Sequence, residues 1–259
     1  RSPACRTLGS DIAGVVHGVG NGVTRFRVGD EVYGGNLALK GGFAEHAVVA
    51  ESALALKPSA LSFAEASTIP QAGAIALQGT RWARPGSRVL INGAGGGSGS
   101  FAIQLAKRAG AHVTGVDNDK KLGLMRSLGA DEVIDYATDD FTRPSQPYNV
   151  VLDLVAHRSV FAYRRALSRG GRYRCVGGSV GTLLRVLTAG SVVGLLTGRS
   201  IGVLGVKEGP AHFRPLADLC ATGEVEIAID RTFSLEEVPA ALLYVGDGKA
   251  LGKVVIVPS

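Results

Sequence analysis

The sequence has 259 residues, of which 46% are hydrophobic and 19% are charged, and this composition is typical of a compact α/β protein rather than a disordered chain. The formal charge is +6, but no run of basic residues exceeds two and no aromatic platform accompanies them, so nucleic-acid binding is not expected. Three separated cysteines, Cys5, Cys175 and Cys220, lack metal-ligand spacing and favour a reduced, cytoplasmic protein.

The front of the chain reads as short strands separated by turns. Ile12–Val19 is strand-like and is followed by the turn Gly20–Gly22. Further strands are expected at Glu31–Tyr33 and Gly42–Val49. Strands of this length and spacing predict a small β-barrel-like unit.

The stretch from Arg88 to Asp117 carries the strongest signal. The apolar run Val89–Ile91 leads into Gly93–Gly99, which has five glycines in seven residues, and a helical pattern follows at Phe101–Lys107. A second strand, His112–Val116, ends on Asp117, 18 residues beyond Gly99. Backbone N–H groups at a helix N-terminus suit a pyrophosphate, and an acid at this distance suits the ribose hydroxyls, so this stretch predicts a dinucleotide site.

Further elements alternate between helix and strand up to residue 206. In chain order they are a helix at Lys120–Leu128, strands at Glu132–Ile134 and Asn149–Leu154, a helix at Ser159–Leu167, a strand at Gly171–Val176 and a last strand at Ile201–Val206. The apolar stretch Val180–Val206 is interrupted by Arg185 and Arg199 and by glycines, so it predicts a buried or interface helix before that last strand and no membrane span. The pattern predicts an open parallel sheet, at whose carboxyl edge ligands bind.

Seven phrases in this order resemble the medium-chain dehydrogenase/reductase superfamily, and most closely its zinc-independent quinone oxidoreductase group. They are LGSDIAGVV, FRVGDEVYG, GGFAEHAVV, ASTIPQAGAIALQG, NGAGGGSGSFAIQLAKRAGAHVTGVD, LGADEVIDY and LGKVVIV. The resemblance implies α/β architecture, with a Rossmann doubly wound parallel sheet at 57–225 and a GroES-like β-barrel domain formed by 1–56 and 226–259. Relatives carry a longer front part, so this GroES-like catalytic domain is expected to be incomplete at its N-terminus.

The same resemblance implies an activity: NAD(P)H-dependent transfer of hydride, without zinc, to a small-molecule quinone or α,β-unsaturated carbonyl. It also implies a homodimer that pairs through the edge strand Ile201–Val206. Two alternatives stay open, a zinc-type alcohol dehydrogenase and a catalytically inactive nucleotide-binding relative. The inactive relative is favoured by Ile75, which stands where relatives have a threonine near the nicotinamide. No catalytic residue is assigned.

The residues expected to bind the cofactor lie at the predicted strand ends. They are Ala94, Gly95, Gly96, Gly97, Ser98, Gly99, Asp117, Lys121, Tyr136, Gly177 and Gly178. The loop register is Ala94-x-Gly96-x-x-Gly99. Asp117 repels a 2′-phosphate and favours NADH slightly, whereas Lys121 matches a lysine that contacts phosphate in NADPH-using relatives.

Zinc is not expected, because a catalytic zinc needs three protein ligands. Zinc-dependent relatives have a Gly-His-Glu phrase where this chain has Gly9-Ser10-Asp11. The residues Gly34–Gly42 contain no cysteine, and the five histidines are solitary in the sequence.

Overall fold

A computed structural model of the chain describes residues 7–36 and 41–258. They form two compact units: one combines the described residues up to Ala74 with those from Lys207 onward, and the other is Ile75–Val206. Residues 57–74 and 207–225, given above to the nucleotide-binding domain, pack with the first unit. The domain division itself stays a prediction. Cys5 lies outside the described residues.

Strands and helices alternate through most of the described chain. The strands are β1 (Asp11–Val15), β2 (Glu31–Gly35), β3 (Leu54–Leu56), β4 (Arg88–Asn92), β5 (His112–Asp117), β6 (Glu132–Asp135), β7 (Tyr148–Asp153), β8 (Leu167–Cys175), β9 (Ser200–Val203), β10 (Ile229–Phe233) and β11 (Lys253–Ile256). The helices are α1 (Phe63–Ser67), α2 (Pro70–Thr80), α3 (Gly97–Arg108), α4 (Leu122–Ser127), α5 (Val160–Ala166), α6 (Val180–Arg185), α7 (Ser191–Leu196), α8 (Arg214–Ala221) and α9 (Val238–Gly246).

The second unit is built on a six-stranded parallel sheet in the order β6-β5-β4-β7-β8-β9. Its central strands are apolar runs with both faces covered, and Val89, Leu90 and Ile91 are fully buried. The strand order changes direction between β4 and β7, which defines the switch point of a Rossmann sheet. The predicted fold class, α/β with a doubly wound parallel sheet, is confirmed.

The strand register brings the carboxyl ends of the strands to one edge of this sheet. Asn92 lies opposite Val116 on one side and opposite Asp153 on the other. Asp117 lies opposite Asp135, and Asp153 opposite Cys175. Loops that follow these positions therefore share the edge at which parallel sheets bind ligands.

The first unit contains two small sheets among the described residues, an antiparallel sheet β1-β2-β3 and a parallel pair β10-β11. The strand predicted at Gly42–Val49 is wrong: only Gly42 and Phe43 donate backbone hydrogen bonds, to Gly9 and Leu8, and the chain then leaves the sheet. The strand predicted at Ile12–Val19 ends at Val15, although Val16 still donates a backbone hydrogen bond to Asp30 and accepts one from Gly29.

The stretch predicted as one helix and a strand is more irregular and more exposed than expected. A π-helical turn, Val186–Gly190, joins α6 to α7. The edge strand ends at Val203 rather than Val206, although Leu204 still donates a backbone hydrogen bond to Cys175. Among the described residues, no helix is both long and apolar enough to cross a lipid bilayer.

Candidate nucleotide-binding site

The glycine loop is fixed to the sheet before it reaches the helix. Gly93 follows β4 with φ of +83°, a left-handed conformation that favours glycine. The N–H groups of Gly93 and Ala94 both donate to the Val116 carbonyl, at 2.9 and 3.1 Å. A Cβ on Gly99 would lie 2.6 Å from the Ala94 Cα and closer still to the Gly93 carbonyl oxygen, so this position must be glycine for helix and loop to pack.

Gly96 lies in a more open environment than Gly99. It is the N-cap residue of α3 and has an extended backbone conformation. A Cβ there would meet only the Gly93 oxygen, at 3.4 Å, so the fold tolerates a side chain that a bound phosphate would not. The N–H groups of Gly97, Ser98 and Gly99 have no hydrogen-bond acceptor within the described residues. These donors, at the positive end of a 12-residue helix, are the arrangement that binds a pyrophosphate.

Asp117 organises the loop as well as facing the site. One carboxylate oxygen accepts the Gly95 N–H at 3.0 Å, and the other accepts the Asn118 N–H at 3.0 Å. The Lys121 ammonium lies 3.4 Å from that second oxygen, and both side chains are 9% exposed. Because each carboxylate oxygen has two lone pairs, Asp117 can still accept a ribose hydroxyl, but its charge is already partly neutralised.

Lys121 lies beneath the loop rather than at its rim. A Cβ on Gly95 would come within 2.6 Å of the Lys121 Cβ, so the glycine lets the lysine stem pack directly under the loop. Its ammonium is directed at Asp117, and the phosphate contact expected for Lys121 stays a prediction.

The other predicted site residues lie at the same edge of the sheet. Tyr136 follows β6, donates its N–H to the Asp117 carbonyl, and keeps its side chain 50% exposed, so its ring is available for stacking and is not core. Gly177 and Gly178 lie in the exposed loop after β8 with φ of +80° and +100°. A residue with a side chain would be strained in this backbone conformation.

The buried network around Asp153 is a feature that the sequence analysis did not identify. The carboxylate is fully buried, and its Oδ1 accepts hydrogen bonds from Asn92 Nδ2 at 2.8 Å, Val155 N at 3.1 Å and Ala156 N at 2.7 Å. Its Oδ2 accepts the Tyr173 hydroxyl at 2.8 Å. The sequence shows that an aspartate ends this apolar strand. It does not show the four donors, because they lie on β4, on β8 and in the loop after β7.

The network fixes the loop after β7 in a strained conformation. Ala156 has φ of +56°, a left-handed value that costs a non-glycine residue about 1 kcal/mol or more. Its hydrogen bond to Asp153 offsets that strain. The Tyr163 and Tyr173 rings stack at 4.1 Å beneath it, and burial, followed by the Asp153 charge, raises the pKa of both tyrosines. Both hydroxyls therefore stay protonated: the Tyr173 hydroxyl donates to Asp153, and the Tyr163 hydroxyl accepts the Arg158 N–H at 2.9 Å.

The chain is similar to known proteins in both sequence and structure. The family model of the alcohol dehydrogenase GroES-like domain matches residues 1–59, and that of zinc-binding dehydrogenases matches residues 128–256. The chain is 33% identical to the mitochondrial NAD(P)H oxidoreductase RTN4IP1 of Bos taurus, over 96% of this chain and 70% of that protein. The chain belongs to the medium-chain dehydrogenase/reductase superfamily.

Two further members of the medium-chain superfamily are similar along nearly the whole chain. The 2-methylene-furan-3-one reductase of Solanum lycopersicum is 36% identical over 99% of this chain and 65% of its own length. The structure of the quinone oxidoreductase from Coxiella burnetii superposes with a TM-score of 0.87 at 30% identity, covering 96% of this chain and 78% of that one. The inferred resemblance to the medium-chain superfamily, with quinone oxidoreductases among the relatives, is confirmed.

The family model that matches residues 128–256 is that of zinc-binding dehydrogenases, which raises the question of zinc ligands in this chain. Within residues 7–36 and 41–258, no three histidine, cysteine or acidic side chains lie together as metal ligands would. Burial raises the pKa of the Cys175 thiol to about 11 and that of the Cys220 thiol to about 12. These two thiols are therefore protonated at neutral pH and do not suit nucleophilic catalysis.

Proposed function

We propose that this protein is an NAD(P)H-dependent oxidoreductase that transfers hydride, without zinc, to a quinone or an α,β-unsaturated carbonyl compound. The observation that carries the cofactor half is the set of three N–H groups at Gly97–Gly99 that lack a protein acceptor. The substrate half is supported by the relatives, whose names include a quinone oxidoreductase and a furanone reductase.

The chain's own residues supply binding and orientation in this proposal. The Gly97–Gly99 N–H groups hold the pyrophosphate, and Asp117 accepts a ribose hydroxyl while it keeps the loop in place through Gly95. Asp153 fixes the neighbouring loop. When bound, the reduced nicotinamide supplies the hydride, so the protein needs no nucleophile. Catalytic residues are not assigned.

A slight preference for NADH over NADPH is part of the proposal and rests on Asp117. Replacement Asp117→Ser removes the charge that repels a 2′-phosphate, and we expect the ratio of the NADPH and NADH dissociation constants to shift about tenfold towards NADPH. Asp117→Asn is the matched control, because it also loses the charge but keeps an acceptor for the Gly95 N–H. If neither variant changes the ratio, Asp117 does not contact the ribose.

A homodimer that pairs through β9 is also proposed. The support is that β9 is the terminal strand of the six-stranded sheet, so one of its edges is unpaired within the described residues. Size-exclusion chromatography with light scattering tests the assembly. A monomer at micromolar concentration contradicts it.

We also propose a cytoplasmic location for this protein. It is a proposal because relatives include organellar proteins such as mitochondrial RTN4IP1.

The activity is tested by following oxidation of NADH and NADPH at 340 nm with a series of 1,4-quinones and short enones. Turnover with at least one acceptor supports the proposal. Tight cofactor binding without any turnover favours the inactive nucleotide-binding relative instead. Stoichiometric zinc by elemental analysis, together with alcohol oxidation, favours the alcohol dehydrogenase.

A further inference from the structure

The helical segment Val180–Leu196 is formed by α6, the π-helical turn and α7; the turn and α7 pack on β9, and a stripe of small or buried residues runs along the segment. The stripe is Thr182, Val186, Gly190 and Gly194. A Cβ on Gly190 would come within 2.9 Å of an Ile201 methyl group, and one on Gly194 within 2.8 Å of the Arg199 carbonyl. The segment is therefore held firmly against the sheet, and its opposite side is fixed toward solvent.

That opposite side, here called the outer face, is apolar. It carries six large aliphatic side chains that are each more than half exposed: Val180, Leu184, Leu187, Val192, Leu195 and Leu196. Leu195 and Leu196 are 83% and 79% exposed. Single exposed aliphatic residues are ordinary, but a row of six on one helical segment marks a surface that another body covers.

Helix α5 extends this surface, because it packs beside α7. Phe161 on α5 is 68% exposed. Arg164 and Arg165 follow it by three and four residues, so they project from the same side of the helix. The Arg165 guanidinium donates to Thr142, so Phe161 and Arg164 are the groups that α5 adds beside α7.

The sequence segment that contains the outer face and α5 carries only positive charges among its arginine, lysine, aspartate and glutamate residues. Residues 154–206 contain no aspartate and no glutamate. Their cationic residues are Arg158, Arg164, Arg165, Arg169, Arg172, Arg174, Arg185 and Arg199. This one segment carries eight positive charges, so it accounts for more than the whole formal charge of +6.

Not all of these arginines are available for a partner. Arg174 and Arg199 donate to backbone carbonyls at 2.7 to 3.0 Å and serve the fold. Arg165 lies 3.7 Å from Asp140. Arg164, Arg169 and Arg185 are exposed and, among the described residues, have no carboxylate within ion-pair distance. Their charge is therefore free to attract an anionic body.

We propose that the outer face docks on an anionic lipid surface, with the aliphatic side chains at the headgroup boundary and the arginines on lipid phosphates. Amphipathic helical segments with this combination bind in the plane of the interface. A second copy of the same surface fits less well, because it would bring arginines against arginines without carboxylates between them. The proposal does not depend on the proposed enzymatic function.

The test is co-sedimentation of the protein with vesicles of phosphatidylcholine alone and of phosphatidylcholine with phosphatidylglycerol. We expect binding to the anionic vesicles only, weakened by salt. The double variant Leu195→Glu/Leu196→Glu should lower the partition coefficient at least tenfold, and Arg185→Gln about fivefold. Both changes are at exposed positions, so thermal unfolding should be unchanged.

The matched control is Leu243→Glu, which alters an exposed leucine on α9, in the first unit, at 68% exposure. This variant should bind anionic vesicles as the unmodified protein does. The proposal is overturned if the unmodified protein ignores anionic vesicles, or if the double variant and Leu243→Glu lose equal affinity. Self-association that the double variant abolishes, without vesicle binding, assigns the outer face to a second copy instead.

Discussion

The two units differ in how completely the carboxylates of Asp153 and Asp11 are hydrogen-bonded. In the second unit, Asp153 is surrounded by four hydrogen-bond donors, and its network holds the loops of the nucleotide site. In the first unit, Asp11 on β1 has a buried Oδ1 without a hydrogen-bond partner, while its Oδ2 accepts the Gln71 N–H at 3.2 Å. A satisfied carboxylate specifies a local structure, whereas an incompletely satisfied one costs stability.

The two carboxylates also differ in what compensates their negative charge. Burial raises the pKa of Asp11, and the nearby Lys253 charge acts against that rise. Burial also lowers the pKa of Lys253, with Asp11 acting against that fall. The two groups therefore depend on each other for charge compensation, whereas Asp153 depends on uncharged donors.

The largest effect is expected at Asp153. Asp153→Ala leaves the Tyr173 hydroxyl, the Asn92 amide and two backbone N–H groups buried without their acceptor, so unfolding by urea should show a loss of about 3 to 4 kcal/mol. Tyr173→Phe removes one donor and should cost only about 1 kcal/mol. Equal losses for the two variants would mean that Asp153 does not organise the network.

Next in size is a pair of matched glycine substitutions in the loop. Gly99→Ala forces a Cβ against the Gly93 and Ala94 backbone and should cost about 2 to 3 kcal/mol of stability. Gly96→Ala should leave the unfolding free energy within about 0.5 kcal/mol and instead weaken cofactor binding at least tenfold. Calorimetric titration and urea unfolding separate the two effects, and a Gly96→Ala variant that binds normally would contradict the assigned loop register.

A smaller effect should appear as coupling between Asp11 and Lys253. Asp11→Asn and Lys253→Met each leave one partly desolvated charge without its partner, so the double variant should be more stable than the sum of the single losses by about 1 to 2 kcal/mol. The cycle is measured by urea unfolding at neutral pH. Additive losses would show that the two charges do not compensate each other.

The smallest effect concerns a satisfied carboxylate within the first unit. Glu65 accepts the Ser62 N–H at 2.8 Å and the Ser62 hydroxyl at 2.7 Å in the capping box of α1, and these bonds lower its pKa below the ordinary value of 4.5. A lowered pKa stabilises the fold above that ordinary value, and the contribution is lost as the pH falls through the folded-state pKa. Glu65→Gln should cost about 0.5 kcal/mol at pH 7.

That difference should disappear in acid, where both side chains are uncharged. Thermal unfolding of the two proteins from neutral pH down to about pH 3 measures it. A difference between the two proteins that is independent of pH would show that the ionised carboxylate contributes nothing to the cap.

Part of this molecule could be predicted because its information is local. The apolar run of β4, the glycine spacing of the loop and the aspartate that ends β5 lie within one stretch of 30 residues, so periodicity and spacing predict strand, loop, helix and strand in order. The six strands of the second unit were each anticipated to within a few residues for the same reason, since buried parallel strands are continuous apolar runs.

Other features depended on partners distant in the chain. The exposed face of the segment Val180–Leu196 could not be inferred from its apolar composition, because only the position of β9 decides which side is covered. The strand predicted at Gly42–Val49 failed because a strand needs a ladder partner, and residues 44–49 have none among the described residues.

The sequence by itself determined the superfamily, the Rossmann sheet and the residues of the glycine loop, since these depend on local spacing and on phrases that keep their order. Only the tertiary structure decided that Asp117 holds the loop through Gly95, that Lys121 pairs with Asp117, and that Asp153 gathers four donors. The physical reason is that hydrogen bonds and burial are properties of neighbours in space, and those neighbours lie up to 61 residues apart along the chain.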